Sequence, residues 1–111
     1  MAAQNKVQAV ALSIFNSASI TTSYQIINTG GLSAACFLIR VVNASDENII
    51  ISYDGVTDNE VVLSDSAVYL DFQANAQPTG WTSLLAKGTV VYAKGTAGTG
   101  TIYLSGYYIA Q

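Results

Sequence analysis

The amino-acid sequence predicts an all-β fold: a single-domain antiparallel β-sandwich, jelly-roll or immunoglobulin-like, of about seven or eight strands. Three observations carry that expectation. Short runs rich in Val, Ile, Tyr and Thr recur along the whole chain. Clusters of Gly, Asn, Asp and Ser interrupt them about every ten residues. The length of 111 residues suits one domain with one core, and little of it carries a helical pattern.

Residues 1–6 read as a flexible N-terminal arm and 7–111 as the domain. Over Val7–Phe15, Val7, Val10, Ala11 and Ile14 fit a helical stripe, while Val10, Leu12 and Ile14 fit a strand face; the weak cap and the Ser13-Ile14-Phe15 ending favour the strand. Ile20–Ile27 reads as a half-buried strand with Ile20, Tyr24 and Ile26 on one face and Thr21, Ser23 and Gln25 on the other. Asn28-Thr29-Gly30-Gly31 ends it with residues that tolerate positive φ. The central stretch Ala34–Asn59 holds two apolar runs, Cys36–Val42 and Ile49–Tyr53, joined by Ser45-Asp46-Glu47-Asn48. It reads as two adjacent strands of an antiparallel pair, closed by a turn at Asp54-Gly55. Arg40 shares a face with Leu38 and Val42, so Phe37, Ile39 and Val41 are the expected core set.

A short strand is expected at Val61–Leu63. In Ala67–Gln73 strict alternation points Val68, Leu70 and Phe72 inward and Tyr69, Asp71 and Gln73 outward; a one-residue slip would bury Asp71, so the register is well specified. Asn75–Gly80, around Pro78, reads as a loop, and Trp81–Ala86 as a short helical turn stopped near Gly88. Thr89–Lys94 and Thr101–Ala110 are the last two strands, linked by a glycine-rich hairpin turn.

The chain is unusual in its charge. Only 10% of residues are charged, against about 25% in ordinary soluble domains. Interface cores are depleted in charge, so this composition points to a surface partly covered by other subunits. The net charge of −3 and the scattered Lys6, Arg40, Lys87 and Lys94 argue against nucleic-acid binding, which needs clustered cations. No run approaches the ~20 apolar residues of a membrane helix, and the N-terminus is a poor signal peptide. Cys36 is the single cysteine, beside Phe37 and Leu38, and reads as a buried thiol.

Chemistry has few footholds. There is no histidine, which removes Ser-His-Asp and Cys-His pairs, imidazole-based zinc sites and the commonest general base. Lys94-Gly95-Thr96-Ala97-Gly98-Thr99-Gly100-Thr101 has the look of a phosphate loop, but a Walker loop puts Lys after its last Gly and opens a helix. Asp54, Asp58 and Glu60, with Asp46 and Glu47 upstream, lack the spacing of a calcium loop and read as solvated turn carboxylates. No catalytic residue, cofactor site or metal site is assigned. Asn43-Ala44-Ser45 has the letters of a glycosylation sequon, without a sign of secretion. The candidate interface residues are Tyr69, Trp81, Arg40 and Tyr107, because exposed aromatics and Arg anchor protein contacts and aromatics also stack on sugars.

Three segments carry a resemblance: Val41-Val42-Asn43-Ala44-Ser45, with its "N-A-S" turn; Ile51-Ser52-Tyr53-Asp54-Gly55; and Lys94 to Tyr103. Over roughly Arg40 to Tyr108 the chain resembles small β-sandwich virion proteins of tailed bacteriophages. The resemblance implies a non-enzymatic capsid decoration (cement) protein located in the virion, with the major capsid protein or other virion proteins as partners and homo-oligomers as the expected form. It carries over no catalytic residue; no cofactor is expected, and the charge and the run lengths given above speak against nucleic-acid and membrane partners. A head–tail connector or tail accessory protein, and a carbohydrate-binding module using Trp81 and tyrosines, are the alternative readings.

Overall fold

Two sheets close over one core because each strand places its large aliphatic residues at alternate positions. The computed structural model describes residues 6–71 and 85–110. Its strands are β1 (Lys6–Ala9), β2 (Ser13–Asn16), β3 (Gln25–Ile26), β4 (Leu38–Ser45), β5 (Ile49–Ser52), β6 (Glu60–Val62), β7 (Ser66–Asp71), β8 (Tyr92–Gly95) and β9 (Gly100–Ala110). The first sheet runs β1-β9-β4-β7, with β2 following β1 along the same edge of β9. The second runs β3-β8-β5-β6. All the strand pairs are antiparallel. The sandwich expected from the sequence is therefore present, and its only helical element among the described residues is a single 3₁₀ turn at Ser17–Ser19.

The core lies between the sheets. Ile39, Val41, Ile102 and Leu104 come from the first, Ile49, Ile51, Val62 and Ala93 from the second, and Ile20, Ile27, Leu32, Cys36 and Val91 fill the ends. Each large aliphatic side chain buried there contributes about 1.5–3 kcal/mol. Phe37, Ile39 and Val41 are buried as their parity predicts, and Val68 and Leu70 pack on the core from β7.

The central stretch departs from expectation. Its two apolar runs are not paired with each other: β4 lies between β7 and β9 in the first sheet, and β5 between β6 and β8 in the second. Ser45-Asp46-Glu47-Asn48 is a corner that carries the chain over the core, not a hairpin. The reason lies in Asn43 and Ser45, which continue the buried parity of Phe37, Ile39 and Val41 and leave no exposed surface to speak of. The Asn43 amide donates toward the carbonyls of Glu47 (2.8 Å), Val62 (3.0 Å) and Leu63 (3.2 Å), and its Oδ1 accepts from the Ser45 hydroxyl at 2.5 Å. The Ser64 hydroxyl donates to the Ser45 carbonyl at 2.7 Å, and the Ser64 N–H to Asn48 Oδ1 at 2.8 Å. One buried side chain thus ties β4 of one sheet to the end of β6 in the other. The "N-A-S" segment is strand, and its Asn is closed to glycosylation.

The glycine-rich link between β8 and β9 is also a crossing between sheets and not a hairpin turn. Gly100 adopts φ +132°, and a Cβ there would sit 2.0 Å from the Ala44 carbonyl oxygen, so the chain can meet β4 only with glycine at that point. Of the other expected elements, Ile20–Ile27 narrows to β3. Ile20 and Ile27 are buried while Ile26 is exposed, because the chain bends at Ser23 instead of running straight. Leu85 forms an antiparallel bridge with Cys36, so the expected helical turn does not extend to it. Phe72, the Asn75–Gly80 loop and Trp81 lie outside the described residues, as do residues 1–5 of the expected arm; Lys6, its last residue, pairs with Ala110 in β1.

A β-bulge splits the N-terminal strand. Between the pairs Ala9↔Tyr107 and Ser13↔Leu104, three residues (Val10, Ala11, Leu12) oppose two (Ser105, Gly106). Val10 turns inward over Gly106, where a Cβ would lie 3.0 Å from its methyl and 3.1 Å from Cys36 Sγ. The extra residue flips parity, so Leu12 and Ile14 face out and Phe15 packs on the core. Val10, Leu12 and Ile14 do not share a face.

The corner yields a test. Asn43→Ala leaves buried carbonyls without donors and is expected to cost about 2–4 kcal/mol of unfolding free energy in urea titration. Asn43→Asp, which places an acceptor among carbonyls, is expected to cost more.

Candidate interaction surface

The outer face of the first sheet is built by register. Arg40 lies between Tyr69 of β7 and Ser105 of β9, and Leu38 between Asp71 and Tyr107. Three of the four candidate residues, Arg40, Tyr69 and Tyr107, are therefore on one face; Trp81 is not among the described residues. Next to them, Val42 lies between Tyr103 and Ala67, and Tyr103 faces Ile14 of β2. The bulge brings Leu12 onto the same face, and register puts Val7 there from β1.

This face is apolar and open. Val7 is 60% exposed, Leu12 52%, Ile14 65% and Tyr69 62%. The charges on it are Arg40 and Asp71. The Arg40 guanidinium lies 6.0 Å from the centre of the Tyr69 ring, a cation–π distance, and its Nε is buried without a hydrogen-bond partner. Solvated sheet faces alternate with polar residues; here Val, Leu, Ile and Tyr occupy those positions.

The second sheet also leaves Ile26 and Val61 exposed on its outer side, but a charge pair lies on that side with them. On its outer side Lys94 Nζ pairs with Asp58 Oδ1 at 3.0 Å and sits 4.6 Å from the Tyr24 ring centre. The Tyr24 hydroxyl also donates to Asp58. Tyr24 and Tyr92 meet edge to face, at 6.4 Å and 72°, and the Tyr92 ring packs against the backbone at Gly55. Lys94 and Gly55 each cover a ring face, so the pair does not form the flat platform on which a sugar stacks.

The acids of the turns are occupied locally. Asp54 Oδ1 accepts from the N–H of Thr57 (2.7 Å) and of Val56 (2.8 Å) and from the Ser52 hydroxyl (2.7 Å). Those donors, the Thr57 N–H first, hold its carboxyl well below the usual range. Asp46 Oδ1 accepts from the Thr99 N–H at 2.8 Å, pinning the glycine-rich crossing to the β4–β5 corner. Among the described residues no three acidic or cysteine side chains gather as a metal group would. A cleft of about 180 Å³ lies between the bulge and the Asn28–Ser33 segment, and no ionisable side chain lines it. Cys36 is fully buried, and burial pushes its thiol up.

Sequence reasoning missed Leu12 and Ile14 as surface residues, since a bulge leaves no mark in the hydrophobic pattern, and Val7 because the strand reading of that stretch gave it no face. No family model matches the sequence, and no curated protein matches it. Among solved structures the chain is similar to a protein of Bacillus endospore appendages, a novel family of disulfide-linked pili, with TM-score 0.50 and 15% identity over 98% of this chain and 93% of that one. The likeness is one of fold. A single cysteine per copy can join two copies at most, so this chain could not extend a disulfide-linked fibre by itself.

Two measurements follow from these groups. Because the Asp54 carboxyl is held low in the folded state, its stabilising contribution is complete above the unfolded value of about 4 and is lost as pH falls through the folded one. The drop in urea stability between neutral and acidic pH is expected to be smaller in Asp54→Asn. Cys36 is expected to be inert to Ellman's reagent in the native protein and to react in full once the chain is unfolded in urea.

Proposed function

We propose that this protein is a non-enzymatic structural subunit that works through protein–protein contacts in a larger assembly. The observation that carries the proposal is the exposed face around Leu12, Ile14, Tyr69 and Val7, where the chain spends large apolar side chains on a surface that water alone would not reward. The scarcity of charge and the absence of histidine agree with a role in contact and not in reaction. So does the fold it shares with a pilus protein.

The resemblance of Arg40 to Tyr108 to small phage virion proteins supplies the assembly: the shell of a tailed-phage head, with this protein as a decoration subunit on the major capsid protein. The test is binding to capsids that lack it. Wild type is expected to load onto such shells, and Ile14→Lys, which sets a charge among the exposed apolar residues of the face, to reduce loading by at least about tenfold. Lys94→Ala, on the opposite sheet, is expected to load normally. Shells that take up none of the wild-type protein would overturn the capsid role, and labelling confined to one vertex would move it to the head–tail connection.

A further inference from the structure

We infer that the first partner across this face is a second copy of the chain, packed face to face about a two-fold axis. The inference rests on the reading of that face as a contact surface.

Charge selects the partner. A chain of net charge −3 repels its own copies unless they meet where the acids are absent. Asp46, Glu47, Asp54, Asp58, Glu60 and Asp65 lie in the corners, in the β5–β6 loop or on β6, away from the outer face of the first sheet. Asp71, at the end of β7, is the one acid on that face. Two copies can therefore close over it without bringing carboxylates together.

Arg40 fixes the centre. Its guanidinium leans on Tyr69, toward the β7 side. A two-fold through Arg40 would oppose two like charges. The charge-free part of the face is β1, β2 and β9, with Val7, Leu12, Ile14, Tyr103 and Tyr107. Centring the contact there leaves Arg40 and Tyr69 at the rim, the usual arrangement of an apolar core with a polar border.

The size suits a weak dimer. Centred on β9, the contact spans three strand positions at ~4.8 Å and eight residues at ~3.3 Å each, a flat area of roughly 380 Å² per copy. Two copies then cover about 760 Å² before side-chain relief is added, the range of a weak, reversible contact. Sheets stack face to face with strands about 30° apart, as the two sheets of one chain already do in sandwiches of this kind.

Sedimentation velocity of the full chain at about 100 μM, a concentration that populates weak dimers, tests it. A dimer of the 11.6 kDa chain is expected. Ile14→Lys and Leu12→Lys are expected to weaken it by at least about 100-fold, with circular dichroism and melting unchanged. Hydrogen exchange on wild type needs no variant: amides of 11–15 and 101–108 are expected to slow as concentration rises. A monomer, an oligomer other than a dimer, a dimer indifferent to both substitutions, or unchanged exchange in those segments would each overturn the inference. A monomeric chain that Ile14→Lys still removes from shells would overturn the dimer and leave the structural role standing. A dimer on this face whose variants load normally would do the reverse.

Discussion

The sandwich depends on how its two sheets are tied at the β4–β5 corner, where the buried Asn43 amide, on β4 of the first sheet, reaches the carbonyl of Glu47 in the corner and those of Val62 and Leu63 at the end of β6 in the second. Hydrophobic burial holds the sheets together but does not fix how they are offset, because apolar contact is non-directional. A polar group inside the core is directional, and leaving its partners unmade is costly. Asn43, with Ser45 and Ser64 around it, therefore specifies the corner that aliphatic packing alone would leave free.

That corner matters because almost every connection in the described chain crosses from one sheet to the other. β5 and β6 form the only hairpin among the described residues; β4, β7 and β9 come together from distant parts of the sequence, and the first strand pairs with the last. Such pairings must close long loops before their ladders form, a topology that slows folding. The crossings also separate labour between surfaces. The second sheet carries the Lys94–Asp58 pair and its tyrosines toward water. The first carries Leu12, Ile14, Val7 and Tyr69 on the outside, whereas the second sheet's exposed Ile26 and Val61 share their side with that charge pair, and the proposed role in assembly draws on this difference.

Much of the fold was legible in the residues. The alternation in Phe37–Val41 and Val68–Asp71 gave the core side of each strand, and Tyr69 points outward as its parity required. The hairpin at Ser45–Asn48 was misread because a polar tetrapeptide looks alike whether it folds the chain back beside itself or carries it over the core. The distinguishing signal was present: Asn43 and Ser45 hold the inward parity, and polar residues there need partners across the core. The candidate surface was half legible. Arg40, Tyr69 and Tyr107 fell on one face by counting in twos, whereas Leu12 and Ile14 reach it only through an extra residue that hydrophobic periodicity does not reveal.

That extra residue gives the N-terminal strand an unusual genetic property. Loss of a single codon between Val10 and Leu12 would leave two residues opposite Ser105 and Gly106, straighten the ladder and keep Ser13 on Leu104 and Ile14 on Tyr103, so the set of outward side chains would not change. The apolar face is thus insulated from an indel at this point, and changing its stickiness takes replacement of the residues that form it. Relatives that differ in length here would share both the scaffold and its outer face, so a gap in an alignment at this point would not by itself signal a change in how copies adhere.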